Sequence, residues 1–249
     1  MQNSMMVKEK WALVTGASGG IGSAISVKLA EAGYQLYLHY WRGEAEIKKL
    51  AATCREYGVV VVLLKADLSK VEEIGRLLSS LSRKPDVLIN NAGITHYGLF
   101  TETQLLDLER LYQVNVQAPF LLAQGCAPYM IRQQYGRIIN ISSIWGVTGA
   151  SCEVLYSMTK GALLSFTKAL AKELAPSQVT VNAVVPGAIE GNLLRNQFNE
   201  EELQSIAAEI PMGRLGKPEE VASLVAYLLQ PDAKYITGQV ISPNGGWYT

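Results

Sequence analysis

Short apolar runs alternate with stretches of helical spacing along nearly the whole chain, and this alternation most constrains its fold. The strand-like runs are Trp11–Thr15, Gln35–His39, Val59–Leu64, Asp86–Asn90, Arg137–Ser142, Val179–Val184 and Gln239–Ser242. Between them lie helical candidates such as Gly20–Ala32, Glu44–Tyr57, Leu105–Gln117 and Tyr156–Ala175. Strands separated by helices imply crossover connections, hence a parallel sheet with helices on both faces. Six consecutive aliphatics in Val59–Leu64 predict a strand buried on both sides. Only Ala188–Pro218 is long and strand-free; its helical patches suggest a lid over a pocket. No repeat or low-complexity linker interrupts the pattern, so 1–249 reads as one α/β domain.

The bulk properties exclude several functions. Lys+Arg and Asp+Glu balance at 22 each, leaving no net field to attract nucleic acid or an anionic membrane. No apolar run reaches the ~18 residues of a membrane span. Segment 1–10 has neither the apolar core nor the small-residue cleavage site of a secretory leader. Cys54, Cys126 and Cys152 are odd in number and widely spaced, which predicts reduced thiols in a cytoplasmic protein. The two histidines, His39 and His96, cannot form a metal site alone, so no catalytic metal is expected.

The segment Thr15-Gly16-Ala17-Ser18-Gly19-Gly20-Ile21-Gly22 lies between the first strand and the first helix. Gly16 permits a tight turn, Gly20 lets backbone approach a pyrophosphate, and Gly22 permits close helix–sheet packing. The helix start then offers free N–H groups to the phosphates. In this context the glycines predict dinucleotide binding and a Rossmann-type, doubly wound sheet. An acid at the end of the second strand would select NAD, whereas an arginine accommodates the 2′-phosphate of NADP. Here the segment reads His39-Tyr40-Trp41-Arg42, with no acid before Glu44. Arg42 therefore points to NADP(H), the alternative being an ordinary solvated arginine.

With these residues in view, the chain resembles the short-chain dehydrogenase/reductases over essentially its full length. The matching motifs are Thr15–Gly22, Asp67, Asn90-Asn91-Ala92-Gly93, Asn115, Ser143, Tyr156-x-x-x-Lys160 and Pro186-Gly187. The stretch Ile210–Ala222, Tyr235-Ile-Thr-Gly and Asn244-Gly-Gly246 resemble the 3-oxoacyl-[acyl-carrier-protein] reductases within that family. The resemblance implies a cofactor set of Gly16, Ser18, Gly19, Gly20, Ile21, Gly22, Arg42, Asp67, Leu68, Asn91, Ala92, Gly93, Tyr156, Lys160, Pro186, Gly187 and Ile189. It implies a catalytic set of Asn115, Ser143, Tyr156 and Lys160, with Lys160 also on the nicotinamide ribose and Asn115 in a water-mediated proton relay. A homotetramer and a place in fatty acid biosynthesis follow from the same resemblance.

The residues themselves support part of this. Tyr156 and Lys160 are four apart on a predicted helix and share a face. A nearby ammonium is expected to lower the phenol's pKa, fitting Tyr156 to exchange a proton with the carbonyl oxygen. Ser143, just past a strand, would hydrogen-bond that oxygen. Other readings stand beside these: Asn115 as a buried helix kink, and Asp67 as a helix cap shared with Ser69. Gly19 stands where many relatives carry Arg, and Gly191 where they carry Thr, so Asn192 or the Ile189 N–H would take the carboxamide. Gln134 and Ser177 replace arginines that relatives use to dock acyl carrier protein, with Arg132 as a substitute. The substrate expectation is a 3-oxoacyl thioester. The alternatives are another small secondary alcohol or ketone, and a non-catalytic nucleotide-binding protein.

Overall fold

The computed structural model describes residues 9–195 and 198–248; most of segment 1–10, read above for a leader, lies outside them. The strands are β1 Trp11–Val14, β2 Gln35–Tyr40, β3 Val61–Lys65, β4 Val87–Asn90, β5 Gly136–Ile141, β6 Val179–Val184 and β7 Val240–Ile241. The helices are α1 Gly20–Glu31, α2 Glu44–Glu56, α3 Val71–Ser80, α4 Leu105–Tyr112, α5 Ala118–Gln133, α6 Trp145–Thr148, α7 Val154–Leu174, α8 Asn192–Arg195, α9 Glu200–Glu209 and α10 Pro218–Leu228. All strand pairs are parallel, in the order β3-β2-β1-β4-β5-β6-β7.

Alternation along each strand sends side chains to two separate cores. Ala12, Val14, Leu36, Leu38, Val87 and Ile89 meet Ile25, Ile47 and Val225 from α1, α2 and α10. Leu13, Tyr37, Leu88 and Ile138 meet Ile74, Leu122, Met130 and Leu174 from α3, α5 and α7. This is the doubly wound α/β sheet that the alternating pattern predicted. No helix among the described residues is long and apolar enough to cross a membrane. Cys54 and Cys126 are buried, Cys152 is half-buried, and all three thiols are free.

Two expectations need correction. The run Val59–Leu64 is not a strand buried on both sides: β3 starts at Val61 and forms the sheet edge, where Val62, Leu63 and Leu64 are only half-buried and Val60 is exposed. With β2 as its sole neighbour, β3 has one flank and part of one face open. Leu105–Gln117 is not a uniform helix either; α4 passes into a π-helical turn at Gln113–Gln117 before α5. The Ala118 N–H reaches back to the Gln113 carbonyl, and Pro119 has no N–H to give Asn115 its ordinary helical donor. In the strand-free stretch, Ile189 pairs with Gly216 as an isolated parallel bridge.

The sheet order also locates the site. From β1 the chain builds β2 and β3 outward, then returns across β1 to start β4 on the other side. Loops leaving the carboxyl ends of β1 and β4 therefore diverge and leave a crevice.

Candidate active site

A cleft of about 1140 Å³ runs along the carboxyl ends of the strands. Every residue of the expected cofactor and catalytic sets lines it except Asn115, which is fully buried behind the wall.

The glycine turn is held from three directions. Gly16 has φ +63°, and a Cβ there would stand 2.8 Å from the Ala92 Cα, so glycine is required on both counts. A Cβ on Gly22 would meet the Asn91 Nδ2 at 2.6 Å. The Thr15 hydroxyl accepts the N–H groups of Asn91 and Ala92, each at 3.0 Å, while Asn91 Nδ2 donates to the carbonyls of Thr15 (2.8 Å) and Gly16 (3.1 Å). The Asn91 amide thus fastens the turn to the loop after β4. Ser18 donates to the Arg42 carbonyl at 3.0 Å, tying the turn to the loop after β2. α1 begins with no side-chain cap, leaving the Gly20, Ile21 and Gly22 N–H groups at its open end. That donor set fits a pyrophosphate.

His39 is the residue the sequence did not single out here. It is 2% exposed; its Nδ1 accepts the Gly16 N–H at 3.1 Å and its Nε2 lies 3.0 Å from the Ala66 carbonyl. A carbonyl only accepts, so Nε2 carries the proton and Nδ1 is bare. Burial lowers the imidazole pKa to about 4, keeping the ring neutral. Its only sequence signal is an inward position near the end of β2.

At the end of the cleft where adenosine is expected, Arg42 is exposed at the rim, and Asp67 and Leu68 line the wall. Asp67 accepts both the N–H (3.0 Å) and hydroxyl (2.7 Å) of Ser69, a local turn rather than the helix cap of the alternative reading, since α3 is preceded by Lys70 and has no side-chain cap. Burial alone would raise its pKa, but these bonds and Lys70 outweigh it and leave the carboxyl lowered. Glu44, the first acid after β2, pairs with Lys48 (2.7 Å) and Lys65 (3.8 Å) and does not line the cleft.

At the other end, β5 delivers Ser143 and α7 delivers Tyr156 and Lys160. A Cβ on Gly146 would lie 2.7 Å from the Lys160 carbonyl carbon, so a glycine there lets α6 sit against α7. The Trp145 N–H donates to the Ser143 hydroxyl at 3.2 Å. Lys160 is buried, its ammonium donates to the Ile141 carbonyl at 3.0 Å, and burial brings its pKa down to about 8. The Tyr156 hydroxyl sits deep in the cleft. Burial first, and then the charge of Glu153, raise its pKa, with Ser143 hydrogen bonding pulling the other way. The expected lowering by Lys160 is therefore not met: the ammonium faces Ile141, and burial dominates the phenol. A tyrosine held neutral is set up to give a proton to an alkoxide.

Asn115 works through its neighbours. Its Oδ1 accepts the Ile94 N–H at 2.9 Å; its Nδ2 donates to the Ile94 carbonyl (2.8 Å) and to the Thr159 hydroxyl (3.1 Å). The side chain thus staples the loop after β4 to α7 from within the π turn. Gly93 passes between them, where a Cβ would be 3.2 Å from Lys160 Nζ and 3.4 Å from Asn115 Oδ1.

Pro186, Gly187 and Ile189 form the floor after β6. Gly216 bonds Ala188 and Glu190 with its N–H and carbonyl, at 2.9 and 2.8 Å, so the Ile189 peptide groups point away from that pairing. Asn192 lines the cleft and is exposed. Gln134 and Ser177 lie just before β5 and β6, at the amino ends of the strands and opposite the cleft.

A glycine turn at the switch point of a parallel sheet, with Ser143, Tyr156 and Lys160 gathered in the same cleft, defines a nicotinamide-dependent oxidoreductase. The chain belongs to the short-chain dehydrogenase/reductase family. Residues 16–248 match the family model described as "Enoyl-(Acyl carrier protein) reductase". An uncharacterized oxidoreductase, YmfI of Bacillus subtilis, is 49% identical over 96% of this chain and 99% of its own. The 3-oxoacyl-[acyl-carrier-protein] reductase FabG of Aquifex aeolicus is 43% identical over 96% of this chain and 97% of its own. Among solved structures, the angucycline C-6 ketoreductase LanV with bound NADP superposes with a TM-score of 0.88 at 32% identity, covering 96% and 95% of the two chains. The protein is accordingly an NAD(P)-dependent oxidoreductase acting on a CH–OH/C=O pair.

Proposed function

We propose that the protein reduces the 3-oxo group of an acyl thioester to the 3-hydroxyacyl product, using NADPH. The observation that carries this is the gathering of Ser143, Tyr156 and Lys160 in the same cleft as the glycine turn. The 43% identity to the Aquifex reductase over nearly the whole chain supports the thioester substrate. NADPH, when bound, supplies a hydride to the carbonyl carbon. The Ser143 hydroxyl donates a hydrogen bond to the carbonyl oxygen, and Tyr156 gives its proton to that oxygen as negative charge develops. Lys160, its ammonium 5.6 Å from the Tyr156 ring centroid, would supply positive charge near the phenol and would reach the nicotinamide ribose, while Asn115 keeps the loop after β4 against α7. The Gly20, Ile21 and Gly22 N–H groups would hold the pyrophosphate, and Ile189 would offer its peptide N–H to the carboxamide. NADPH is favoured over NADH because Arg42 stands at the rim and Glu44 is held by two lysines.

The segment 188–218 acts as the substrate lid; residues 196 and 197 lie outside the described part. Exposed apolar side chains on α4, α5 and α7 (Leu105, Leu106, Tyr112, Phe120, Met158) suit self-association, and a homotetramer in the cytoplasm is our assembly reading. Acyl carrier protein would find only neutral side chains at Gln134 and Ser177, so we expect weak docking. The deciding assay compares 3-oxobutanoyl groups on carrier protein and on coenzyme A, at low and high salt, by NADPH absorbance. Both should be reduced, with little preference for the carrier. Reduction of neither would transfer the reading to another small ketone or secondary alcohol, the chemistry named for LanV.

A further inference from the structure

Beyond the candidate catalytic serine the cleft changes character. Trp145, Trp247 and Tyr248 form a triangle of rings, with centroids 5.3 Å apart for the two tryptophans, 5.6 Å for Trp145–Tyr248 and 5.4 Å for Trp247–Tyr248. All three line the cleft and none is buried; Tyr248 is 39% exposed. Trp145 starts two residues after Ser143 and donates its N–H to that hydroxyl, so the aromatic wall begins where the reacting carbonyl would sit. Tyr97 and Phe198, also in the lining, make an edge contact with centroids 6.2 Å apart and join the lid to the loop after β4. The cofactor residues Gly16–Gly22, Arg42 and Asp67 come from the β1–β3 side of the sheet, whereas these rings come from loops after β4 and β5, from the lid and from the chain end. The rings therefore belong to the substrate half of the cleft.

An alkyl chain gains only area burial from such a wall, and aliphatic side chains would supply that equally well. A planar ring gains in addition the edge-to-face and offset contacts that half-exposed aromatic faces offer. Resting on the 3-oxoacyl reading, we infer that the group beyond the reduced carbonyl is a planar aromatic or conjugated ring, seated against Trp145, Trp247 and Tyr248.

A matched pair of probes separates stacking from burial: the N-acetylcysteamine thioesters of 3-oxo-3-phenylpropanoic and 3-cyclohexyl-3-oxopropanoic acid. Their carbon counts agree, and burial alone favours the saturated ring. Calorimetry on the enzyme–NADP⁺ complex, where no reduction occurs, should show the phenyl probe binding roughly threefold to tenfold tighter, the range of one ring–ring contact. In Tyr248→Leu and Trp247→Leu, both near the chain end, that ratio should fall toward one. Equal or weaker binding of the phenyl probe, no binding of it, or a ratio unchanged in both variants would overturn the inference. The two readings fail separately. If the probes bind alike and NADPH reduces both, only the ring pocket is wrong. If the phenyl probe binds tighter but neither thioester is reduced, only the thioester activity is wrong.

Discussion

Acidification should destabilise the protein through His39 in a way that substitution removes. In the folded chain the imidazole is 2% exposed and titrates at about 4, against an ordinary value of 6.5. A base whose pKa is depressed by folding binds its proton more readily in the unfolded chain. Its stabilising contribution is therefore complete above pH 6.5 and is lost as pH falls toward 4. Between pH 7.5 and pH 4.5 the loss comes to roughly 2–3 kcal/mol. The structural cause is definite: a proton on Nδ1 removes the acceptor for the Gly16 N–H and sets two donors against each other. Urea unfolding at several pH values, for wild type, His39→Asn and His39→Leu, is the assay. Asn can still accept from Gly16 and does not titrate, so its stability should fall roughly 2–3 kcal/mol less on acidification, whatever the carboxylates do in common. At pH 7.5 the order should be wild type, then Asn, then Leu, because Leu leaves the half-buried Gly16 N–H without its acceptor, at a cost of about 1 kcal/mol. Parallel pH curves for wild type and Asn would refute the reasoning. The same series should weaken NADPH binding in that order, since Gly16 shapes the turn that receives it.

Tyr156→Phe keeps the ring but deletes the proton, so turnover should drop by ~10² or more while NADPH still binds by fluorescence titration; near-normal reduction would contradict its role. Lys160→Ala should lower both turnover and cofactor affinity in the same assays. Arg42→Ala should raise the KM for NADPH far more than that for NADH, and an equal effect on both would remove the case for the 2′-phosphate. Light scattering should return a multiple of 27.1 kDa, with Leu106→Glu and Phe120→Glu shifting it toward the single-chain mass; a monomer in the wild type would contradict the assembly.

What local pattern could encode was legible in the sequence. The alternation of strands and helices dictates a parallel sheet because a crossover needs a helix's length, and that needs no knowledge of contacts. Gly16 and Gly22 declare the turn because the required backbone freedom and close approach are properties of single positions. Tyr156 and Lys160 could be paired because four residues make a turn of helix. Tertiary structure alone decided the rest. β3 became half-exposed because it ended at the sheet edge, a matter of strand order that its six aliphatics do not record. Lys160 turned to the Ile141 carbonyl, and burial with Glu153 raised the Tyr156 pKa, reversing the sign that helical spacing suggested. His39 gained a partner on each ring nitrogen from the residues that follow β1 and β3, which meet it only in the folded sheet. Trp145 and Trp247, about a hundred residues apart, share one wall because β5 and the chain end lead to the same edge of the cleft. Desolvation and long-range contact belong to the assembled sheet, and no short stretch of chain carries them.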